Sequence, residues 1–231
     1  MGTAKKESNW NKNPFLLQLI GMGAAYFVKT PGWLKRIYPR RLWNVATKEK
    51  AIYLTFDDGP HPIVTSFVLD ELKKYNASAT FFCIGKNVAA HPLLYERILQ
   101  EGHTTGNHSY THPNGWKTTR DIYLADIAEA AKHIRSNLFR PPYGRIKGSQ
   151  AKGVQQAMGN RSSKIVMWDV LSGDFDEGLS AQKCKENVIN NAREGSIIVF
   201  HDSEKAFRLL KDVLPGTLQF FAREGYVFRS L

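Results

Sequence analysis

From about residue 50 to its end, the chain alternates between strand-like and helix-like segments, and this alternation restricts its fold more than any other feature. The strand-like runs are short, apolar and rich in β-branched or aromatic residues, whereas the segments between them show helical spacing. Strict alternation is typical of a parallel sheet with helices packed outside it. About seven strands in roughly 180 residues predict an α/β fold, an irregular (β/α) barrel of parallel strands, although an open doubly wound sheet has the same pattern.

The predicted elements follow from these runs. Strands are expected at 51–54, 77–84, 103–107, 138–140, 164–170, 196–200 and 226–228. Helices are expected at 30–41, 91–100, 120–136, 181–193 and 204–223, the last interrupted at Pro215-Gly216. The main domain is expected to begin at residue 48, which leaves residues 1–47 as a separate N-terminal segment.

The positive charge of the chain is concentrated in that segment. Residues 1–50 hold ten Lys or Arg and two Glu, so they carry +8 of the formal net charge of +11. The remainder is nearly neutral, which argues against nucleic-acid binding by the main domain. The apolar run Pro14–Val28 would span about 22 Å as a helix, less than the ~30 Å hydrocarbon core. Residues 1–47 are therefore expected to make peripheral membrane contact, although a signal peptide or a packed helix would have the same pattern.

Polar clusters follow five of the predicted strands. The C-terminal ends of parallel strands share one rim, so residues far apart in the sequence can converge there. Five clusters at five strand ends predict a functional site on that rim. The clusters are Asp57-Asp58, His108 to His112, Arg140 to Tyr143, Asp169 to Asp176, and His201-Asp202.

Two of these clusters have the composition of a metal site. His108 and His112 are four residues apart, and in a helical turn both would lie on one face. With one carboxylate from Asp58 they offer two imidazoles and one oxygen, a set that suits a catalytic zinc or a related divalent ion. The adjacent carboxylates of Asp57 and Asp58 repel each other unless a cation lies between them. The same ligand set also occurs in non-haem iron oxygenases, which leaves that enzyme class open.

Five motifs of the chain resemble, in order, those of the polysaccharide deacetylases of carbohydrate esterase family four. They are Thr55–Pro60, His108–His112, Arg140–Tyr143, Trp168–Phe175 and Val199–His201, and the resemblance runs from about residue 48 to the end. It implies metal-dependent hydrolysis of N-acetyl groups on peptidoglycan or a chitin-like polymer, with release of acetate. It also implies one divalent ion, zinc by preference, an acetylated polysaccharide as partner, and action at the bacterial cell envelope.

The resemblance further implies roles for residues on the rim. Asp58, His108 and His112 would bind the metal ion, and Asp57 would be the general base that deprotonates the attacking water. His201 would protonate the leaving amine.

Other residues are assigned to the substrate and the transition state. A backbone N–H near Tyr143 would bind the oxyanion. Tyr143 and Trp116 offer aromatic faces to a sugar ring, and Val199 would line the pocket for the acetyl methyl group. Arg140 is placed with the catalytic residues and Asp174 with the substrate-binding ones.

The fourth motif departs from the family pattern. Leu171 stands where the family usually has an Asp that helps to set the charge of the catalytic His, and Phe175 stands where it has a Trp. Residues two apart on a strand share a face, so we expect Asp169 to take over this task.

In that arrangement Asp169 would pair with Arg140 and bias His201 toward its protonated form. Asp174 and Asp176 are rivals for the role, because the chain can turn at Ser172-Gly173. A non-catalytic glycan-binding module is a further alternative, but the retained carboxylates and histidines argue against it.

Overall fold

The computed structural model describes residues 26–231, and within them the strands form one parallel sheet. The strands are β1 (Ala51–Asp57), β2 (Thr80–Cys83), β3 (Thr104–Asn107), β4 (Leu138–Phe139), β5 (Lys164–Ile165), β6 (Val170–Leu171), β7 (Ile197–His201) and β8 (Val227–Phe228). Their order is β5-β4-β3-β2-β1-β7-β6, and β8 pairs with the start of β1. All seven residues of β1 are buried, as expected for the central strand of a covered parallel sheet.

A single segment, residues 164–171, pairs with both edges of the sheet. β5 at the start of this segment pairs with β4, whereas β6 at its end pairs with β7. The predicted strand 164–170 is therefore divided between the two sheet edges, which brings these edges together. This curled sheet of seven parallel strands, with β8 added at β1, confirms the α/β, barrel-like fold.

Helices cover the outside of the sheet. They are α1 (Gly32–Ile37), α2 (Val64–Lys73), α3 (Gly85–Ala90), α4 (Pro92–Gln100), α5 (Arg120–Ala131), α6 (Gly148–Ala151), α7 (Val154–Ala157), α8 (Ala181–Ile189) and α9 (Glu204–Arg223). Under them, the rings of Phe56, Phe81 and Phe200 stack across β2, β1 and β7, with centroids 5.1 and 5.9 Å apart. This packing fixes the strands whose ends carry the polar clusters.

The predicted interruption of the last helix is wrong, because α9 continues through Pro215. A proline inside a helix costs about 3 kcal/mol or more. One face of α9 buries a set of apolar side chains, each contributing roughly 1.5–3 kcal/mol when fully buried. This burial outweighs the lost hydrogen bond. The set comprises Leu209, Leu210, Val213, Leu214, Leu218 and Phe221.

Residues 26–47 run along the outer side of the 164–171 segment. Val28 accepts a hydrogen bond from the backbone N–H of Leu171 at 2.8 Å, and the N–H of Leu42 donates to Ile165 at 2.9 Å. Trp43 is buried. The division of the chain at residue 48 stays a prediction. Residues 1–25, with most of the predicted apolar run Pro14–Val28, lie outside the described residues.

Among residues 26–231, none of the helices combines the length and apolar character needed to span a membrane.

Candidate active site

The loop that follows β1 presents the two adjacent carboxylates. Asp57 is the last residue of β1 and is buried, whereas Asp58 adopts a left-handed backbone with φ 82°. The next residue, Gly59, donates its backbone N–H to Asp202 Oδ1 at 3.0 Å. A Cβ on Gly59 would lie 2.0 Å from Asp202 Oδ2, so a larger residue there would displace the Asp202 carboxylate. Asp202 also accepts from the hydroxyl of Thr65 at 2.5 Å, and this buried carboxylate therefore fixes the loop.

The two predicted histidine ligands converge through a loop and not through a helical turn. Ser109 and His112 both have left-handed backbones, with φ 68° and 60°. Asn107, at the end of β3, accepts from the backbone N–H of Ser109 at 2.7 Å, and the Ser109 hydroxyl accepts from that of His112 at 3.1 Å. The rings of His108 and His112 lie 5.0 Å apart as a result.

Asp126, on α5, fixes the same loop from outside. Its carboxylate accepts from the backbone N–H groups of Tyr110 and Thr111 at 2.7 and 3.1 Å and from the Thr111 hydroxyl at 2.6 Å. Sequence reasoning missed Asp126, because an acidic residue on the polar side of an amphipathic helix normally faces solvent.

The geometry of Asp58, His108 and His112 fits a divalent cation. Oδ1 of Asp58 lies 3.2 Å from Nε2 of His112 and 3.6 Å from Nε2 of His108, and the three ligand atoms lie within 4.8 Å of one another. Nδ1 of His108 bonds the backbone carbonyl of Arg140 at 2.8 Å, which leaves Nε2 directed at the cluster. Oδ1 of Asp58 is buried and has no hydrogen-bond partner among the described residues, an arrangement that a bound cation would satisfy.

The charges of this cluster also suit metal binding. Burial lowers the pKa of His108 to about 4, so its imidazole is neutral at pH 7. Burial opposes ionisation of Asp58, but the neighbouring imidazoles hold the pKa of this carboxyl well below its usual range. A neutral imidazole and an ionised carboxylate are the protonation states that a metal ion requires.

Arg140 fixes the orientation of Asp57. Its guanidinium donates to Asp57 Oδ1 at 2.6 Å, to the Thr55 hydroxyl at 2.7 Å and to the carbonyl of Met167 at 2.9 Å, and it is completely buried. Oδ2 of Asp57 lies 4.0 Å from Nε2 of His108. One carboxylate oxygen is therefore held by Arg140, while the other lies beside the metal-ligand cluster.

Asp174 is the carboxylate that contacts His201. Its Oδ1 lies 2.7 Å from Nδ1 of His201, and its Oδ2 accepts the backbone N–H of the same residue at 2.7 Å. Burial would lower the pKa of His201, but the charge of Asp174 and its hydrogen bond raise it to about 9. The Asp174 side chain is buried and both its oxygens are engaged, and its assignment to substrate binding stays a prediction.

The contacts predicted for Asp169, with Arg140 and His201, are wrong. Its carboxylate accepts from Lys29 at 2.6 Å, Lys35 at 2.5 Å and the Ser196 hydroxyl at 2.6 Å, and makes no bond to Arg140 or His201. Two cations from the N-terminal residues neutralise this buried carboxylate outside the site. The carboxylate that contacts His201 in this structure is instead that of Asp174.

Three further residues with predicted substrate roles lie near or below the rim. Tyr143 has a left-handed backbone with φ 58°, its side chain is 58% exposed, and its ring lies 4.5 Å from that of His112. Trp116 packs under the guanidinium of Arg145 at 5.1 Å, and Val199 is buried in β7. The substrate roles of Tyr143, Trp116 and Val199 stay predictions.

Comparison with known proteins identifies similar sequences and structures. The sequence profile described as polysaccharide deacetylase matches residues 44–161. A peptidoglycan-N-acetylglucosamine deacetylase of Bacillus cereus is 37% identical over 66% of this chain, which spans 56% of that protein. A chitooligosaccharide deacetylase of Azorhizobium caulinodans is 34% identical over 81% of this chain and 91% of its own. A crystal structure of a peptidoglycan N-acetylglucosamine deacetylase superposes with a TM-score of 0.77 at 31% identity, covering 86% of this chain and 94% of that one.

Proposed function

Because this chain belongs to the polysaccharide deacetylase family, a family of hydrolases, we propose that it removes N-acetyl groups from a glycan and releases acetate. One observation carries the proposal. On a single rim, the cluster Asp58, His108 and His112 lies beside two separately held groups, the Asp57 carboxylate and the His201 imidazole. We assign them as a cation site, a base and an acid, the three groups that metal-assisted hydrolysis of an amide uses.

Asp58, His108 and His112 are the proposed ligands of one divalent ion, with zinc favoured by the mixed nitrogen and oxygen donors. When bound, this ion would lower the pKa of a water molecule and polarise the amide carbonyl. The chain's own residues supply the proton transfers around it.

The proton transfers balance over the two held groups. Oδ2 of Asp57 accepts a proton from the attacking water while the water oxygen forms a bond to the carbonyl carbon. The electron pair of the carbonyl double bond moves to the carbonyl oxygen, which becomes an oxyanion. The backbone N–H of Tyr143 donates to that oxyanion. The oxyanion then re-forms the carbonyl as the C–N bond breaks, and Nε2 of His201 gives its proton to the nitrogen. Asp57 afterwards releases its proton to solvent and His201 takes one up, which restores both groups. The products are acetate and a glycan bearing a free amine.

The proposed substrates are peptidoglycan and chitin-like polymers of N-acetylglucosamine, and the proposed site of action is the bacterial cell envelope. The names of the relatives support this choice. The ring of Tyr143, which is exposed and lies beside that of His112, is the proposed stacking surface for a sugar ring.

The direct test incubates the protein, loaded with zinc, with acetylated chitooligomers, acetylxylan and peptidoglycan. We expect acetate and free amine in equal amounts from the N-acetylated glycans. Release of acetate from acetylxylan and from neither of the other substrates would show that the protein hydrolyses acetyl esters and not N-acetyl groups. The absence of acetate from all three substrates would contradict the proposal.

Two alternatives leave parts of the site unused. A non-haem iron oxygenase would use Asp58, His108 and His112 but would give the Asp57–Arg140 and Asp174–His201 pairs no role. Such an enzyme would consume oxygen with Fe(II) and a 2-oxo acid. A glycan-binding module would need none of the buried charged pairs, which are costly to desolvate.

The ligand assignment predicts loss of the ion from single variants. We expect about one divalent ion per chain in the native protein and less than a tenth of that in His108→Ala or His112→Ala, because each removes one of three protein ligands. Elemental analysis after dialysis measures this. His91→Ala, outside the cluster, is the control and should keep its ion. Stoichiometric zinc in the double variant would contradict the assignment.

We also propose that the N-terminal segment contacts an anionic membrane surface. On α1, Lys35 faces inward to the buried Asp169, whereas Trp33 and Ile37 are one turn apart and 44% and 50% exposed. Exposed Arg36 and Arg40 flank them. Exposed apolar residues beside basic ones suit an anionic membrane surface, where each cation contributes about 1 kcal/mol.

The membrane proposal predicts separate effects of deletion on binding and on activity. Deleting residues 1–25 and replacing Trp33 and Ile37 with Ala should lower binding to vesicles containing phosphatidylglycerol, measured by co-sedimentation at low salt. Acetate release from soluble chitooligomers should be retained, because the rim residues are untouched. Leu93→Ala, an exposed apolar residue elsewhere, is the control. Native protein that fails to sediment with these vesicles would contradict the proposal.

A further inference from the structure

The loop 171–178, which carries Asp174, is held from outside by residues 26–30, here called the strap. The carbonyl of Val28 accepts the N–H of Leu171 at 2.8 Å. The backbone N–H of Thr30 donates to the carbonyl of Asp169 at 2.9 Å, and the Thr30 hydroxyl donates to the carbonyl of Trp168 at 2.7 Å. The strap therefore fixes the chain immediately before the loop.

Tyr26, at the start of the strap, contacts the loop itself. Its hydroxyl donates to Oδ2 of Asp176 at 3.0 Å, and its ring lies 5.2 Å from that of Phe175. A Cβ on Gly173, where φ is 83°, would lie 2.7 Å from the Tyr26 hydroxyl oxygen. Tyr26 thus touches residues on both sides of Asp174.

The contacts continue from the loop to His201. Asp174 holds both the Nδ1 and the backbone N–H of His201 at 2.7 Å, and the ring of Phe175 lies 5.1 Å from the imidazole. A shift of the loop would move the carboxylate and the neighbouring ring together. Tyr26 does not touch the imidazole in these contacts and would act through Asp174 and Phe175.

The strap lies against the two positions where the fourth motif departs from the family pattern. The backbone of Val28 bonds Leu171, and the ring of Tyr26 packs on Phe175. Tyr26 also lies outside the stretch 44–161 that matches the family profile. We propose that Tyr26 is a positioning residue, which holds residues 173–176 so that Asp174 keeps the His201 imidazole directed at the substrate. This inference rests on the proposed role of His201 as general acid.

Kinetics of Tyr26 variants test the positioning role. Tyr26→Ala should lower kcat by about tenfold with little change in KM, whereas Tyr26→Phe should recover most of the loss, because it keeps the ring that packs against Phe175. Phe27→Ala, an exposed neighbour in the strap, is the control. In an Asp174→Asn background, Tyr26→Ala should cause no further loss, because coupled residues are not additive. A full tenfold further loss would overturn the proposal.

Amide hydrogen exchange provides a readout that does not depend on activity. The N–H groups of residues 173–176 and of His201 should exchange at least about tenfold faster in Tyr26→Ala than in the native chain, since exchange follows local opening. Their exchange rates in Phe27→Ala should equal those of the native chain. Unchanged exchange in Tyr26→Ala would overturn the inference even if the native protein is active. If exchange is faster in Tyr26→Ala but the native protein releases no acetate, the contact between the strap and the loop stands and the proposed function is contradicted instead.

Discussion

Asp57→Asn is expected to lower kcat for acetate release by about 10²–10⁴-fold while the protein keeps its divalent ion, because a positioned general base contributes that much. The carboxylate lies outside the ligand set, and Oδ1 is engaged by Arg140 at 2.6 Å. An asparagine retains an oxygen for this hydrogen bond but cannot accept the proton of the attacking water. Steady-state kinetics and elemental analysis of the same preparation measure the two effects.

Asp58→Asn is the matched variant, because it makes the same chemical change one residue along the chain. Its Oδ1 belongs to the cluster with His108 and His112, so we expect loss of the ion as well as of activity. Asp57→Asn also leaves Arg140 buried without its counter-charge, and breaking a buried pair in this way costs several kcal/mol of unfolding free energy. Thermal unfolding must therefore show that each variant is folded at the assay temperature. Equal metal loss in both variants would contradict the separation of base from ligand.

The sequence predicted the groups of the site better than the local geometry that holds them. Carboxylates and imidazoles at strand ends could be assigned because their chemistry is specific and parallel strands share one rim. The left-handed residues Ser109 and His112 carry no sequence signal, since non-glycine residues seldom adopt φ > 0. For a related reason Asp126 was missed and Asp202 was placed on the rim without an anchoring role, because their contacts come from elements distant in the sequence.

The secondary structure was predictable where the hydrophobic periodicity was strong, and the prediction failed where tertiary packing determines the structure. Helix α2 was not predicted, although the spacing of Val64, Val68 and Leu72 is a helical signal that was available. Pro215 indicated a break in α9 that burial of one face of the helix overrides. Asp169 was placed at the site from strand alternation, but residues 164–171 divide into two short strands. Lys29 and Lys35, from the N-terminal segment that was predicted to be separate, bind this carboxylate instead.

Asp174→Asn is expected to move the alkaline limb of the kcat/KM profile to lower pH and to lower the maximal rate. His201 must be protonated to act as the general acid, so activity is lost as pH rises through its pKa of about 9. Burial alone would lower this pKa below the ordinary 6.5, and the Asp174 charge is the main opposing effect. An uncharged asparagine removes that effect, so fewer molecules carry the proton at any pH above neutrality. The hydrogen bond to Nδ1 also loses its charged acceptor, which weakens the orientation of the ring.

The profile of Asp174→Asn is compared with that of Asp169→Asn, which changes the carboxylate held by Lys29, Lys35 and Ser196. We expect the alkaline limb of Asp169→Asn to match that of the native protein, and the metal content of both variants to be unchanged. A direct titration of His201 by NMR should give the same displacement as the kinetic limb in Asp174→Asn. If the limb moves in Asp169→Asn and stays in place in Asp174→Asn, the charge of His201 is set through the N-terminal cations and not by the carboxylate 2.7 Å from its ring.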